Sequence, residues 1–149
     1  MCQDLNIDLN KFITAQNRDY KTALNEIKNG KKITHWMWYI FPQIKGLGHS
    51  PTAQYYAIND VKEARLYLKN TFLRNNLIEI LNELIKLPTN DPISIFGKID
   101  AMKFQSSMTL FYIADPTMFP ITLNLIKFYN GKLDQNTLNI LNVNINSVY

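Results

Sequence analysis

At 149 residues, with 46% hydrophobic and 19% charged side chains, the chain has the length and balance of one folded domain and too many apolar residues for disorder. Its formal charge of +4 comes mostly from lysine, because Arg18, Arg65 and Arg74 are its only arginines, so the dense stripe of bidentate readers that marks a dedicated nucleic-acid binder is missing. No run approaches the roughly 20 apolar residues of a membrane span, which argues against a membrane protein.

The N-terminus, Met1-Cys2-Gln3-Asp4, has no basic region followed by an apolar stretch, so no secretory signal is expected. Cys2 is the only cysteine, so no disulfide closes within the chain, and a reducing, cytoplasmic setting is the expectation. From Leu9 to Asn29, apolar residues recur mostly at three and four, the period of a helix. Asp8 is the candidate cap and Gly30 the candidate left-handed stop. Thr34 should cap a second, short helix from His35 to Phe41, closed by Pro42. A glycine-bearing loop follows to His49, and Ser50-Pro51 should open a helix to Ile58. Asp60 and Glu63 have the spacing of a capping box, with a helix to about Leu68.

The clearest helical pattern is Thr71 to Leu87, stopped by Pro88. Asp91-Pro92 starts a short turn that ends at Gly97. Asp100 to Ala114, Thr117 to Tyr129 and Asp134 to Leu141 read as further helices. The Asn-rich end, 142–149, is either a frayed tail or a short edge segment. Alternating strand patterns are scarce. The expected architecture is therefore all-α, a compact single-domain array of about seven to eight short and medium helices spanning 1–149.

Chemistry concentrates in Thr34-His35-Trp36-Met37-Trp38-Tyr39-Ile40-Phe41-Pro42-Gln43-Ile44-Lys45-Gly46-Leu47-Gly48, which holds both tryptophans and one of the two histidines. From Ile27 to Asn59 there is no Asp or Glu, while Lys28, Lys31, Lys32, Lys45, His35 and His49 fall inside. Such a window favours an anionic ligand. Gly46 and Gly48 would let backbone amides approach it beside Lys45, and the start of the Pro51 helix would add N–H groups. Trp38 beside His35 would make a stacking wall with a proton carrier next to it. At least one of Trp36 and Trp38 should be core.

A second group lies on the helix over Lys103-Phe104-Gln105-Ser106-Ser107: Lys103, Ser106, Ser107 and Leu110 fall on one face. The serines could contact a ligand, supply a nucleophile beside the lysine, or simply allow close packing. Metal ligation is not expected, because the two histidines lack ligand spacing, and no cofactor is implied.

These stretches resemble the DUF1810 family over nearly the whole length. The resemblance rests on Asp8-Leu9-x-Lys11-Phe12, Tyr20-x-x-Ala23-Leu24 and Gly30-x-Lys32. It continues through His35-Trp36-Met37-Trp38-Tyr39-Ile40-Phe41-Pro42-Gln43, Gly46-Leu47-Gly48-x-Ser50, Phe96-Gly97 and Asp100-x-x-Lys103-x-x-Ser106-Ser107-Met108. It implies a compact all-α fold and no settled reaction. Some relatives carry the label of calpastatin, an inhibitor whose disordered acidic repeats this chain does not share.

The residues together point to a pocket for a flat, anionic small molecule, nucleotide-like or ADP-ribose-like. His35 would be the acid/base or donor, Trp38 the wall and Gln43 the edge reader. Lys45 and Lys103, with Gly46 and Gly48, would hold the anion, and Ser106 and Ser107 would be polar contacts. If a bond is broken, hydrolysis or group transfer fits better than redox chemistry. The alternatives are a protein-interaction or inhibitor module using the aromatic motif, and weak RNA binding through Lys28, Lys31, Lys32 and Lys45.

Overall fold

The computed structural model describes residues 8–148, so Cys2 and the leading residues lie outside it. Among the described residues there are nine helices: α1 (Asn10–Lys28), α2 (Met37–Ile40), α3 (Pro51–Tyr56), α4 (Val61–Lys69), α5 (Thr71–Lys86), α6 (Pro92–Phe96), α7 (Lys98–Ala114), α8 (Phe119–Tyr129) and α9 (Gln135–Leu141). The all-α reading holds. The ninth helix is α6, where a turn was expected. Among the described residues no helix is long and apolar enough to cross a membrane.

Local chemistry sets most helix ends. Gly30 adopts φ 81°, and the amides of Gly30 and Lys31 return to the carbonyls of Ile27 and Glu26, closing α1 in a Schellman motif. Asp8 accepts from the Asn10 amide, while Leu9 occupies the cap position of α1. Ser50, Asp60, Asn70, Asp91 and Asp134 each accept a first-turn amide of the helix that follows. Glu63 reaches back to the Asn59 amide rather than making the reciprocal bond of a capping box to Asp60. Asn130 takes the left-handed conformation that ends α8.

Helix α7 is the axis of the molecule: α2, α4, α6, α8 and α9 all pack on it. Ser106 to Phe111 are buried without a break, because neighbours surround the helix and its apolar stripe widens to the full circumference. Phe104 meets Phe41 edge-on at 4.7 Å and stacks with Phe96 at 4.9 Å. These rings lock the aromatic segment and the α6–α7 corner to the same core. The tail is held as an edge: Leu133 donates to the Asn146 carbonyl and Val148 to that of Gly131. A single parallel bridge joins Ile44 to Ile58.

Candidate functional site

The aromatic segment is shaped by a residue just before it. Glu26 is buried on α1, and its carboxylate accepts from the Ile33 amide (2.6 Å), the Thr34 amide (3.0 Å), the Thr34 hydroxyl (2.6 Å) and the Trp36 indole N–H (2.9 Å). Burial pushes its pKa up, but the Thr34 hydroxyl and the other donors outweigh that and hold it at about 2. Thr34 is therefore spent on Glu26 and does not cap α2. The helix starts at Met37, later than the sequence suggested, with His35 in the approach to it.

Trp36, bonded to Glu26, is core at 1% exposure, whereas Trp38 is half-buried. The other side of the segment is pinned by Gln16, which donates to the Tyr39 carbonyl at 2.8 Å and the Tyr67 hydroxyl at 2.9 Å. The Tyr39 hydroxyl donates to Asp19, whose carboxylate also pairs with Arg18 at 3.0 Å. Burial and then Asp19 push the Tyr39 phenol up to about 12, against the opposing pull of Arg18.

Across from this segment the chain turns from α6 into α7 at Gly97, with φ 81° and ψ 166°. No side chain caps α7, so its first-turn N–H groups have no side-chain acceptor at the cap position. The Lys32 amide bonds to the Ile95 carbonyl at 2.8 Å, which brings the loop after α1 against the same corner. Between them lies a cleft of about 460 Å³, within the range of ligand sites. Its lining joins Lys32, His35 and Trp38 to Gly97, Lys98, Ile99, Asp100 and Lys103.

Three ammonium groups and the positive end of α7 thus meet one carboxylate. Lys32 pairs with Asp100 at 2.9 Å with its side chain only 7% exposed, and also donates to the Thr34 carbonyl at 2.6 Å. The same ammonium also lies 5.1 Å from the centre of the buried Trp36 ring. The Lys103 ammonium lies 4.9 Å from the centre of the Trp38 ring and 3.8 Å from Asp100.

A model of the family described as protein of unknown function (DUF1810) matches residues 6–141. The chain belongs to the DUF1810 family. It is also similar to a solved structure, the conserved hypothetical protein Rv1873 from Mycobacterium tuberculosis. The TM-score is 0.89 at 37% identity, over 92% of this chain and 98% of that one. Among curated proteins none matches. The stretches that carry the DUF1810 resemblance, Gly30-x-Lys32, the Trp36–Trp38 motif, Phe96-Gly97 and Asp100-x-x-Lys103, supply most of the cleft's walls.

The residues singled out in the sequence divide in space. His35, Trp38 and Lys103 line the cleft. Gln43, Gly48 and Ser106 line a neighbouring hollow of about 330 Å³, which shares Lys103 and Ile99 with it. Ser106 donates to the Met102 carbonyl at 3.0 Å. Ser107 lies in the core at 0% exposure, its hydroxyl without a partner among the described residues, and lines neither hollow. Lys45 and Gly46 are exposed and line neither.

The two loop glycines have backbone reasons to be there. Gly46 has φ 108°, and a Cβ on Gly48 would sit 2.5 Å from that of Ala53. Ser50 occupies the start of the Pro51 helix by accepting from Ala53, whereas the start of α7, like those of α1, α2 and α8, has no side-chain cap. Of Lys28, Lys31, Lys32 and Lys45, Lys32 is tied to Asp100 and the other three are exposed. Among the described residues no three His, Cys, Asp or Glu side chains gather as a metal set.

Sequence reasoning missed Lys98, the first turn of α7 and Asp100. Starting that helix at Asp100 concealed that Lys98 and Ile99 belong to its first turn. The usable signal was Gly97, followed by a basic residue and then Asp100 and Lys103 at helical spacing.

Proposed function

We propose that this DUF1810 chain binds a flat, anionic small molecule, a nucleotide or an ADP-ribose-like compound, in the cleft between Trp38 and the first turn of α7. One observation carries this reading: an uncapped helix start lies among Lys32, Lys98 and Lys103, directly beside a half-buried indole. Helix-terminal amides and ammonium groups favour an anion, and the indole favours a ring. Asp100 faces two of the three lysines, Lys32 at 2.9 Å and Lys103 at 3.8 Å, and its single charge leaves the cleft net positive. His35, on the wall shared with Trp38, is the group available to donate to the ligand or to move a proton. Hydrolysis or group transfer is the chemistry that such a ligand offers.

Thermal unfolding and tryptophan fluorescence with nucleoside mono- and diphosphates test the reading. A ligand at about a hundred times its Kd adds roughly 2.7 kcal/mol, which raises Tm by about 5–10 °C for a chain of this size. Trp38→Phe should abolish the fluorescence response. No shift with any nucleoside phosphate at millimolar concentration overturns the proposal.

One observation favours a second reading, a protein-interaction surface. Ile99 and Met102, on the rims of the two hollows, are 70% and 60% exposed. A stoichiometric protein partner lost on Ile99→Asp, with no small-molecule response, would replace the first reading by this one.

A further inference from the structure

The wall formed by His35 and Trp38 has two sides. Beyond it lies a second hollow of about 560 Å³, which these two residues line together with Arg18, Tyr39, Tyr55 and Tyr56. Its chemistry differs from that of the cleft. Tyr55 meets Tyr56 edge-on at 4.8 Å, Tyr56 lies 5.1 Å from Tyr39, and the Arg18 guanidinium lies 5.6 Å over the Tyr39 ring. Four aromatic side chains therefore surround it, and its one guanidinium is already paired with Asp19. The cleft on the other side has the lysines and the α7 amides. The two hollows thus share the His35 and Trp38 wall, one aromatic and the other basic.

We infer that the two hollows together fix the direction of one ligand that crosses the wall they share. The nucleobase lies in the tyrosine hollow, the phosphate lies at the first turn of α7, and the sugar between them crosses the wall at His35 and Trp38. This deepens the proposed function and rests on it. It favours a nucleoside phosphate over a sugar phosphate, which lacks the flat ring, and over an aromatic carboxylate, which lacks the phosphate. It also makes Tyr55 a specificity residue. Tyr55 is 58% exposed, with the Lys11 ammonium 5.3 Å from its ring centre, so a base would share the ring with that lysine and loss of Tyr55 should not unfold the protein.

The experiment compares adenosine 5′-monophosphate with ribose 5-phosphate, which has the same sugar and phosphate and no base, by calorimetric titration. Stacking on one aromatic side chain is worth about tenfold in affinity. The wild type should bind the nucleotide at least about tenfold more tightly than the sugar phosphate. Tyr55→Ala should erase most of that advantage and leave ribose 5-phosphate binding unchanged, and Tyr55→Phe should restore it. Equal affinities for the two compounds in the wild type, or an advantage that survives Tyr55→Ala, overturns the inference but leaves the anion cleft standing. Binding of neither compound overturns both.

Discussion

Glu26→Gln is the substitution that best probes how the site is held. The carboxylate takes four donors, three of them on one oxygen, and all come from Ile33 to Trp36, the residues leading into His35 and Trp38. Glutamine keeps the shape but removes the charge and turns one acceptor into an amide donor facing the Thr34 hydroxyl. The folded pKa of about 2 against an ordinary 4.5 sets the magnitude. A difference of that size corresponds to about 3 kcal/mol at neutral pH.

The sign follows from the depressed pKa. The stabilisation is complete above the unfolded value of 4.5 and is lost as pH falls through 4.5 towards about 2. Urea unfolding at pH 7 should therefore show Glu26→Gln about 3 kcal/mol less stable than the wild type. At pH 3 the gap should narrow to about 1 kcal/mol, because there the unfolded carboxyl is already protonated. A gap below about 0.5 kcal/mol at pH 7, the size of an ordinary surface substitution, would refute the argument. So would a gap that does not change with pH.

Other substitutions separate structural from ligand-binding roles. Asp100→Ala leaves the nearly buried Lys32 ammonium unpaired and should cost about 3 kcal/mol in urea unfolding. Combining it with Lys32→Met should recover most of that loss. Gly48→Ala drives a Cβ into Ala53 and should cost about 1–3 kcal/mol by thermal melting, with Ala53→Gly relieving it. Ser107→Ala removes a buried hydroxyl that has no partner among the described residues, so melting should show it neutral or slightly stabilised. In a nucleotide titration Lys103→Ala should weaken binding several-fold and Lys45→Ala should leave it unchanged, because only Lys103 stands over Trp38.

The fold was legible because its signals are local. Hydrophobic period, Ser50 and Asp60 as caps, Pro88 as a stop and Gly30 as a left-handed terminus each act within a few residues. The site was legible only in part, because its decisive pairings are long-range. The stretch from Ile27 to Asn59 lacks carboxylates along the chain, yet in space Glu26, Asp19 and Asp100 supply them to Trp36, Tyr39 and Lys32.

Those pairings also explain the misplacements. Glu26 captures Thr34, which delays α2, and the surroundings of α7 bury Ser107 while leaving Lys103 half-exposed. Glycine signals only backbone freedom, so Gly46 and Gly48 do not by themselves distinguish an anion cradle from a steric need. Here a positive φ at one and the closeness of Ala53 at the other use that freedom.

The central claim concerns the meeting of Trp38 with the start of α7, and amide NMR reads that meeting directly. Titrating labelled protein with adenosine 5′-monophosphate should give saturable shifts at the backbone amides of Lys98, Ile99 and Asp100, together with the Trp38 indole N–H. Shifts confined to the exposed lysines Lys28, Lys31 and Lys45, or no saturable shift at α7, would contradict it.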